Sequence, residues 1–285
     1  MEPLTDRQMP ISDCSYITRE SLSEIVGPRA RESWRITLEL HLRKEETSTH
    51  YRDYLEDVQH GYITKEMRKE AIRFIVDVCA YDAHPSVVCE RSIRLFDQCL
   101  AYSQVRRQAV QLLTLGAISV STKLEDDGGV SLNDLVRYSD GLYTPPELMA
   151  AEQHVLDVVN WDAYVPSSHR ALSSMLGLLA SDGEKEEHIE TLWALSSRFI
   201  ILSVEDYGIS QMPPSTVATG VLTAALLFVR TATSSRSLDT LAGIGVDVIA
   251  AEDVAKYLLV RRKFTSQAAP TLTTPHDAKR ALGSN

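Results

Sequence analysis

Between Ala109 and Val120 almost every position is apolar, and no polar stripe runs along the stretch. A helix that is apolar all round lies either at the centre of a protein or in a membrane. These twelve residues, interrupted by Gln111, Thr114 and Ser119, fall short of the roughly 20 that a bilayer requires. Arg106 to Glu125 is therefore predicted as a central core helix wrapped by others. Ser215 to Val229 has the same character and is rich in small residues. Two such helices about 100 residues apart predict two copies of one helical module.

The flanking segments supply the wrapping helices. Residues 1 to about 28 carry Pro3, Pro10, Gly27 and Pro28 with little periodicity, and are expected to form a flexible leader. Arg29 to Glu46 places Trp34, Leu38 and Leu42 at i, i+4 and i+8, the spacing of a helix. In the polar stretch up to Gly61, Tyr51, Tyr54, Leu55 and Val58 are expected to lie against the next domain. Thr64 can cap a helix from Lys65 to about Ala80, with Met67, Ala71, Phe74, Ile75 and Val78 on its inner face. His84-Pro85 breaks it, and Ser86 starts a second helix to about Tyr102 with Val88, Ile93, Leu95 and Phe96 inward. The central helix is third. Ser131 can cap a short fourth one to Tyr138, and Thr144-Pro145-Pro146-Glu147 opens a fifth, to about Asn160, with an N-cap threonine, proline at the first position and glutamate three residues on. Val165-Pro166 marks a boundary. Beyond it, helices are expected near Ser167–Ala180, Lys185–Val204, Pro213–Arg230, weakly Ser237–Ala242, and Val246–Lys263. The expected organisation is a leader (1–28), an N-terminal helix and linker (29–62), two five-helix modules (63–164 and 165–264) and a disordered tail (265–285). The class is all-α.

Composition narrows the function. At 285 residues and 44% hydrophobic, the chain can bury two cores. A net charge of -10 argues against coating a nucleic-acid duplex, which calls for an excess of lysine and arginine. No N-terminal apolar run looks like a signal peptide. Cys14, Cys79, Cys89 and Cys99 show no CxxC spacing, as expected of an intracellular, reduced protein without structural zinc. No phosphate-binding loop, nucleophile elbow or HExxH motif occurs. No catalysis, metal or cofactor is therefore expected; His154 reads as a helix-face histidine and Asp126-Asp127 as a solvated turn.

The segment from Met67-Arg68-Lys69 to Val78-Cys79 resembles the opening of a cyclin box. In that family an Arg on helix one, an Asp on helix two, a Leu and a Lys on helix three and a Glu on helix five form a signature. This sequence supplies Arg68, Asp97, Leu112, Lys123 and Glu152, with both charged intervals 29 residues long. The resemblance implies that Arg68 and Asp97 form a partly buried structural pair; taken alone, two such charges more often make a weak surface pair. It implies that Lys123 and Glu152, with Leu112 on the same helix as the lysine, grip the regulatory helix of a cyclin-dependent kinase. Lys44-Glu45-Glu46-Thr47 and Met212-Pro213-Pro214-Ser215 followed by Val217-Ala218 are similar to D-type cyclins, whose setting is the G1/S transition of the cell cycle.

Departures accompany the likeness. Cys14 has Ser12 and Tyr16 where animal D-type cyclins carry the Leu and Glu of a retinoblastoma-docking motif. Of the substrate-docking groove that the family presents on helix one, Met67, Phe74 and the matching Gln111 remain, while Glu70 and Ala71 replace larger apolar residues. Thr274-Pro275 is similar to a D-type phosphorylation site. The implied reading is a non-catalytic subunit that forms a heterodimer with a cyclin-dependent kinase, activates it, and meets retinoblastoma-type substrates and kinase inhibitors, in nucleus and cytoplasm. Neither nucleic acid nor membrane is an expected partner. Two rivals stay open: a divergent cyclin that binds a kinase without activating it, and a cyclin-fold transcription factor.

Overall fold

The computed structural model describes residue 25 and residues 31–47, 53–125, 129–162, 164–229 and 247–265. Every regular element among them is helical, and no strand occurs there. The predicted weak helix at 237–242 and the tail beyond 265 lie outside the described residues.

Helix α1 (Arg31–Glu46) is followed by a single turn, α2 (Tyr54–Asp57). The first module consists of α3 (Lys65–Tyr81), α4 (Ser86–Tyr102), α5 (Val110–Glu125), α6 (Leu132–Tyr138) and α7 (Pro145–Val158). A 3-10 turn at Arg107–Ala109 leads into α5. Local chemistry sets the starts. Thr64 accepts from the Met67 amide, Ser131 accepts from the Asp134 amide, and the Glu147 carboxylate takes both the amide (2.8 Å) and the hydroxyl (2.7 Å) of Thr144. Helix α5 packs against α3, α4 and α7, as its all-round apolar surface requires.

The second module consists of α8 (Ser168–Ser181), α9 (Glu186–Glu205), a short α10 (Tyr207–Ser210), α11 (Pro214–Val229) and α12 (Val248–Thr265). Its central helix α11 packs against α8, α9 and α12. The repeat is visible at atomic detail. The seventh residue of each central helix is a glycine facing an alanine carbonyl: a Cβ on Gly116 would lie 2.8 Å from the Ala151 oxygen, and one on Gly220 would lie 2.5 Å from the Ala251 oxygen. These contacts draw α5 onto α7 and α11 onto α12.

The N-terminal helix belongs with the second module. Trp34 lies against Gly177 of α8, where a Cβ would meet its ring at 2.4 Å. Leu38 is buried in the same core, and so is Ile25, a contact that the low periodicity of residues 1–28 did not announce. Tyr54 and Leu55, by contrast, are buried in the first core.

Candidate functional site

Lys123 occupies the last turn of α5, where a cation complements the negative end of the helix dipole. Glu152 stands mid-way along α7. The Gly116–Ala151 contact sets the approach of the two helices, and the lysine Nζ reaches both carboxylate oxygens, at 2.6 and 2.7 Å. The two ends differ in exposure: the lysine side chain is 50% exposed and the glutamate 17%. Ser119, one turn before Lys123, donates to Glu152 Oε2 at 3.0 Å. It fixes the carboxylate on the surface of α5 and was not singled out from the sequence. An ammonium and a carboxylate held side by side offer donors and acceptors suited to the unpaired carbonyls and amides of a helix end.

Apolar groups flank this pair. Leu124, Met149 and Trp161 are 47%, 57% and 64% exposed, while Leu112 is half-buried against the first core. Met149, Glu152 and Leu156 share one face of α7. Trp161 follows the helix end in a left-handed conformation (φ 58°), with its indole N–H on Asp157 at 2.9 Å. An exposed tryptophan at the end of the helix that carries Glu152 has the composition of an interface anchor. Sequence reasoning passed over Leu124, Met149 and Trp161 because periodicity marks only residues that face the core.

Arg68 is 1% exposed. Its Nε and one terminal nitrogen take Asp97 in a bidentate grip at 2.8 and 2.6 Å. Tyr54 joins them, donating to Asp97 at 2.7 Å and accepting from Arg68 Nε at 2.9 Å. The terminal nitrogens also reach the carbonyls of Val204 (3.1 Å) and Glu205 (3.3 Å) at the end of α9. The pair thus spans the seam between modules as well as joining α3 to α4. Burial lowers the Arg68 pKa, but the Asp97 carboxylate outweighs it and holds the guanidinium firmly charged.

Two further carboxylates, on α4 and α1, cap helices of the second module. Glu90 on α4, fully buried, accepts from the backbone amides of Ser168 (2.7 Å) and His169 (3.0 Å) at the start of α8, and from Arg94 at 2.7 Å. The His169 Nδ1 lies 2.6 Å away. Glu45 on α1 accepts from the Ser215 amide (2.7 Å) and hydroxyl (2.5 Å) at the start of α11, with His41 Nε2 at 2.9 Å. Burial raises the Glu90 pKa, but Arg94 and His169 outweigh it and hold the carboxyl far below its ordinary 4.5. A carboxyl with a depressed folded pKa contributes stability that is present above the unfolded value and is lost as the pH falls towards the folded one. Thermal melts from neutral pH to about pH 3 are expected to show the chain losing stability below the unfolded value of 4.5. Glu90→Gln should remove that part of the slope; an unchanged slope would show that Glu90 is not its source.

The five residues of the expected docking groove differ in exposure. Ala71 and Phe74 are each 1% exposed, because their helical spacing turns them into the first core with Ile75 and Val78. Only Met67, Glu70 and Gln111 keep partial exposure. Thr274 and Cys14 lie outside the described residues. Val165 and Pro166, at the expected boundary, are buried. Among the described residues no cluster of metal-ligating side chains occurs, and no helix is long and apolar enough to cross a membrane.

Residues 37–164 match the cyclin N-terminal domain family. The chain is 27% identical over 218 residues to G1/S-specific cyclin-D3 of Mus musculus, covering 75% of this chain and 72% of that protein. Against the Rattus norvegicus cyclin-D3 it is 26% identical over 264 residues, covering 88% and 87%. Cyclin-B1-1 of Oryza sativa subsp. japonica is likewise 26% identical, over 195 residues, covering 61% of this chain and 42% of that one. Among solved structures, the fold is similar to a viral cyclin from herpesvirus saimiri, with TM-score 0.67 and 16% identity, covering 78% of this chain and 94% of that one. It is also similar to a chain of the yeast RNA Pol II CTD kinase CTDK-1 complex, with TM-score 0.54 and 12% identity, covering 82% of each.

Proposed function

We propose, from the premise that this chain belongs to the cyclin family, that it is the regulatory subunit of a cyclin-dependent protein kinase and activates it in G1 control. The observation that carries the proposal is the Lys123–Glu152 pair, held by Ser119 and bordered by exposed Leu124 and Met149. Such a surface suits an amphipathic helix: the charged pair takes the polar end groups of its backbone, and the apolar rim takes its side chains. Holding a kinase regulatory helix inward brings its glutamate to the ATP-positioning lysine and frees the activation loop. Binding energy then selects the active conformer, and the cyclin performs no chemistry.

Support for the D-type assignment is a junction between two distant motifs. Glu45 of the Lys-Glu-Glu-Thr stretch accepts from Ser215 of the Pro-Pro-Ser stretch, so the two likenesses describe one contact. The G1 setting, retinoblastoma-type substrates, kinase inhibitors and a nuclear and cytoplasmic location follow from that assignment and stand or fall with it.

One observation favours a second reading, a cyclin that binds a kinase without activating it. With Ala71 and Phe74 buried, little apolar surface remains on α3 to recruit substrates. The transcription-factor reading has the net charge of -10 against it. The deciding experiment mixes the full-length chain with each candidate cyclin-dependent kinase and measures phosphorylation of a retinoblastoma-type fragment. Activity that rises with the chain and saturates with one kinase is the expected result. Co-purification with a kinase that stays silent would replace this proposal by the scaffold reading.

A further inference from the structure

A cleft of about 650 Å³ opens between the two modules, walled by the first turns of α3, the end of α9, α10 and α12. Its size falls in the range of ligand sites, about 300–1,000 Å³. Most of its charges are already engaged. Arg68 is bound to Asp97, Arg261 donates to Glu205 at 2.9 Å, and Asp206 accepts from the Ile209 amide and the Tyr257 hydroxyl. Two ammonium groups are not. Lys65 and Lys69 are exposed and form no ion pair among the described residues; Lys65 only overhangs the Tyr207 ring, 5.4 Å from its centroid. They stand one turn apart on α3, about 6 Å between their Cβ atoms. Glu66 is the one carboxylate in the wall whose oxygens neither a cation nor a hydrogen-bond donor engages among the described residues.

We propose that this cleft is a docking site for a phosphorylated peptide segment of a partner protein. Two lysines at that spacing can share the three oxygens of one phosphate, whose charge of about -1.5 to -2 attracts the pair more strongly than the single charge of a carboxylate. The positive end of α3 adds to the attraction, and Tyr207 and Tyr257 give the flanking residues aromatic walls. Lys65 and Lys69 face away from Met67 and Phe74, since successive helical residues turn by about 100°. No lining residue belongs to the Lys123–Glu152 surface. The cleft is therefore distinct from the surface proposed for the kinase, as recruitment of an already phosphorylated substrate or regulator would need.

The test uses the full-length chain and fluorescein-labelled short peptides, degenerate around a central phosphothreonine, beside their unphosphorylated twins. Anisotropy titrations at low salt are expected to show the phosphorylated pool binding at least about tenfold more tightly, an advantage that shrinks as salt screens it. The Lys65→Ala, Lys69→Ala double variant should lose the preference, and Glu66→Gln should increase it. Inorganic phosphate should compete. Both lysines are exposed, so unchanged helicity and unchanged kinase binding by the double variant will separate failure here from failure of the kinase reading. Equal binding of the twins, a preference that survives in the double variant, or tighter binding of a single-stranded oligonucleotide at the same lysines would each overturn the proposal.

Discussion

Replacing Lys123 and Glu152 together by alanine is expected to weaken kinase binding severely while leaving the fold almost untouched. Within the free chain the pair is a half-exposed ion pair, and such pairs contribute about 0–1 kcal/mol to stability. A denaturant midpoint close to that of the parent chain should follow. In a complex the same groups would be desolvated at the centre of the contact, and truncating such groups costs about 2 kcal/mol or more each. Losing both should weaken binding by roughly a thousandfold, since every 1.4 kcal/mol is tenfold. Single variants should reveal the coupling. Glu152→Ala frees the Ser119 hydroxyl and leaves Lys123 solvated, whereas Lys123→Ala leaves a mostly buried carboxylate at the interface, so the lysine variant should be the more damaging. Surface plasmon resonance against the kinase identified by the activity screen measures all three. Retention of parental affinity by the double variant would remove Lys123 and Glu152 from the interface and require another binding face.

The pair is picked out by its resemblance to the cyclin-box signature, and periodicity serves only to place its two members on helices. The apolar run of α5 announces a wrapped helix, and the threonine-proline-proline-glutamate start of α7 fixes where Glu152 falls along it. The groups that refine the site left no such trace. Ser119 is one of several small polar residues inside an apolar run, and Trp161 follows a helix end where no pattern continues. Long-range caps are still less legible. Glu45 and Ser215 are 170 residues apart, and Glu90 and Ser168 are 78 apart. Nothing in the local sequence of a charged helical position says that it will be buried on another helix's first turn. Ala71 and Phe74 carry both an inward helical spacing and a likeness to a surface groove, and in the free chain both are buried in the first core.

Arg68→Ala is expected to be the most destabilising single change in the chain, because it removes one hub that serves both modules. The side chain is almost fully buried, and its loss would leave Asp97 without its cation, held only by the Tyr54 hydroxyl, and would take the donor from two carbonyls at the end of α9. Removing one partner of a buried pair typically costs about 3–5 kcal/mol, a large share of a stability of about 5–15 kcal/mol. The seam should suffer more than either core, since the hydrophobic clusters of the two modules remain intact. Urea unfolding followed by tryptophan fluorescence should therefore show the parent's transition moved to lower denaturant and broadened or split. Trp34 and Trp193 report on the second core, which makes the order of events readable. Arg68→Lys keeps the charge but not the planar fork that grips Asp97 while reaching α9, so it should recover only part of the loss. A double change of Arg68→Met with Asp97→Leu leaves no buried charge and should cost less than Arg68→Ala alone. A loss below about 1 kcal/mol in Arg68→Ala, the range of surface pairs, would show that the four-way contact contributes little and that the modules are joined elsewhere along the seam, chiefly at Glu90.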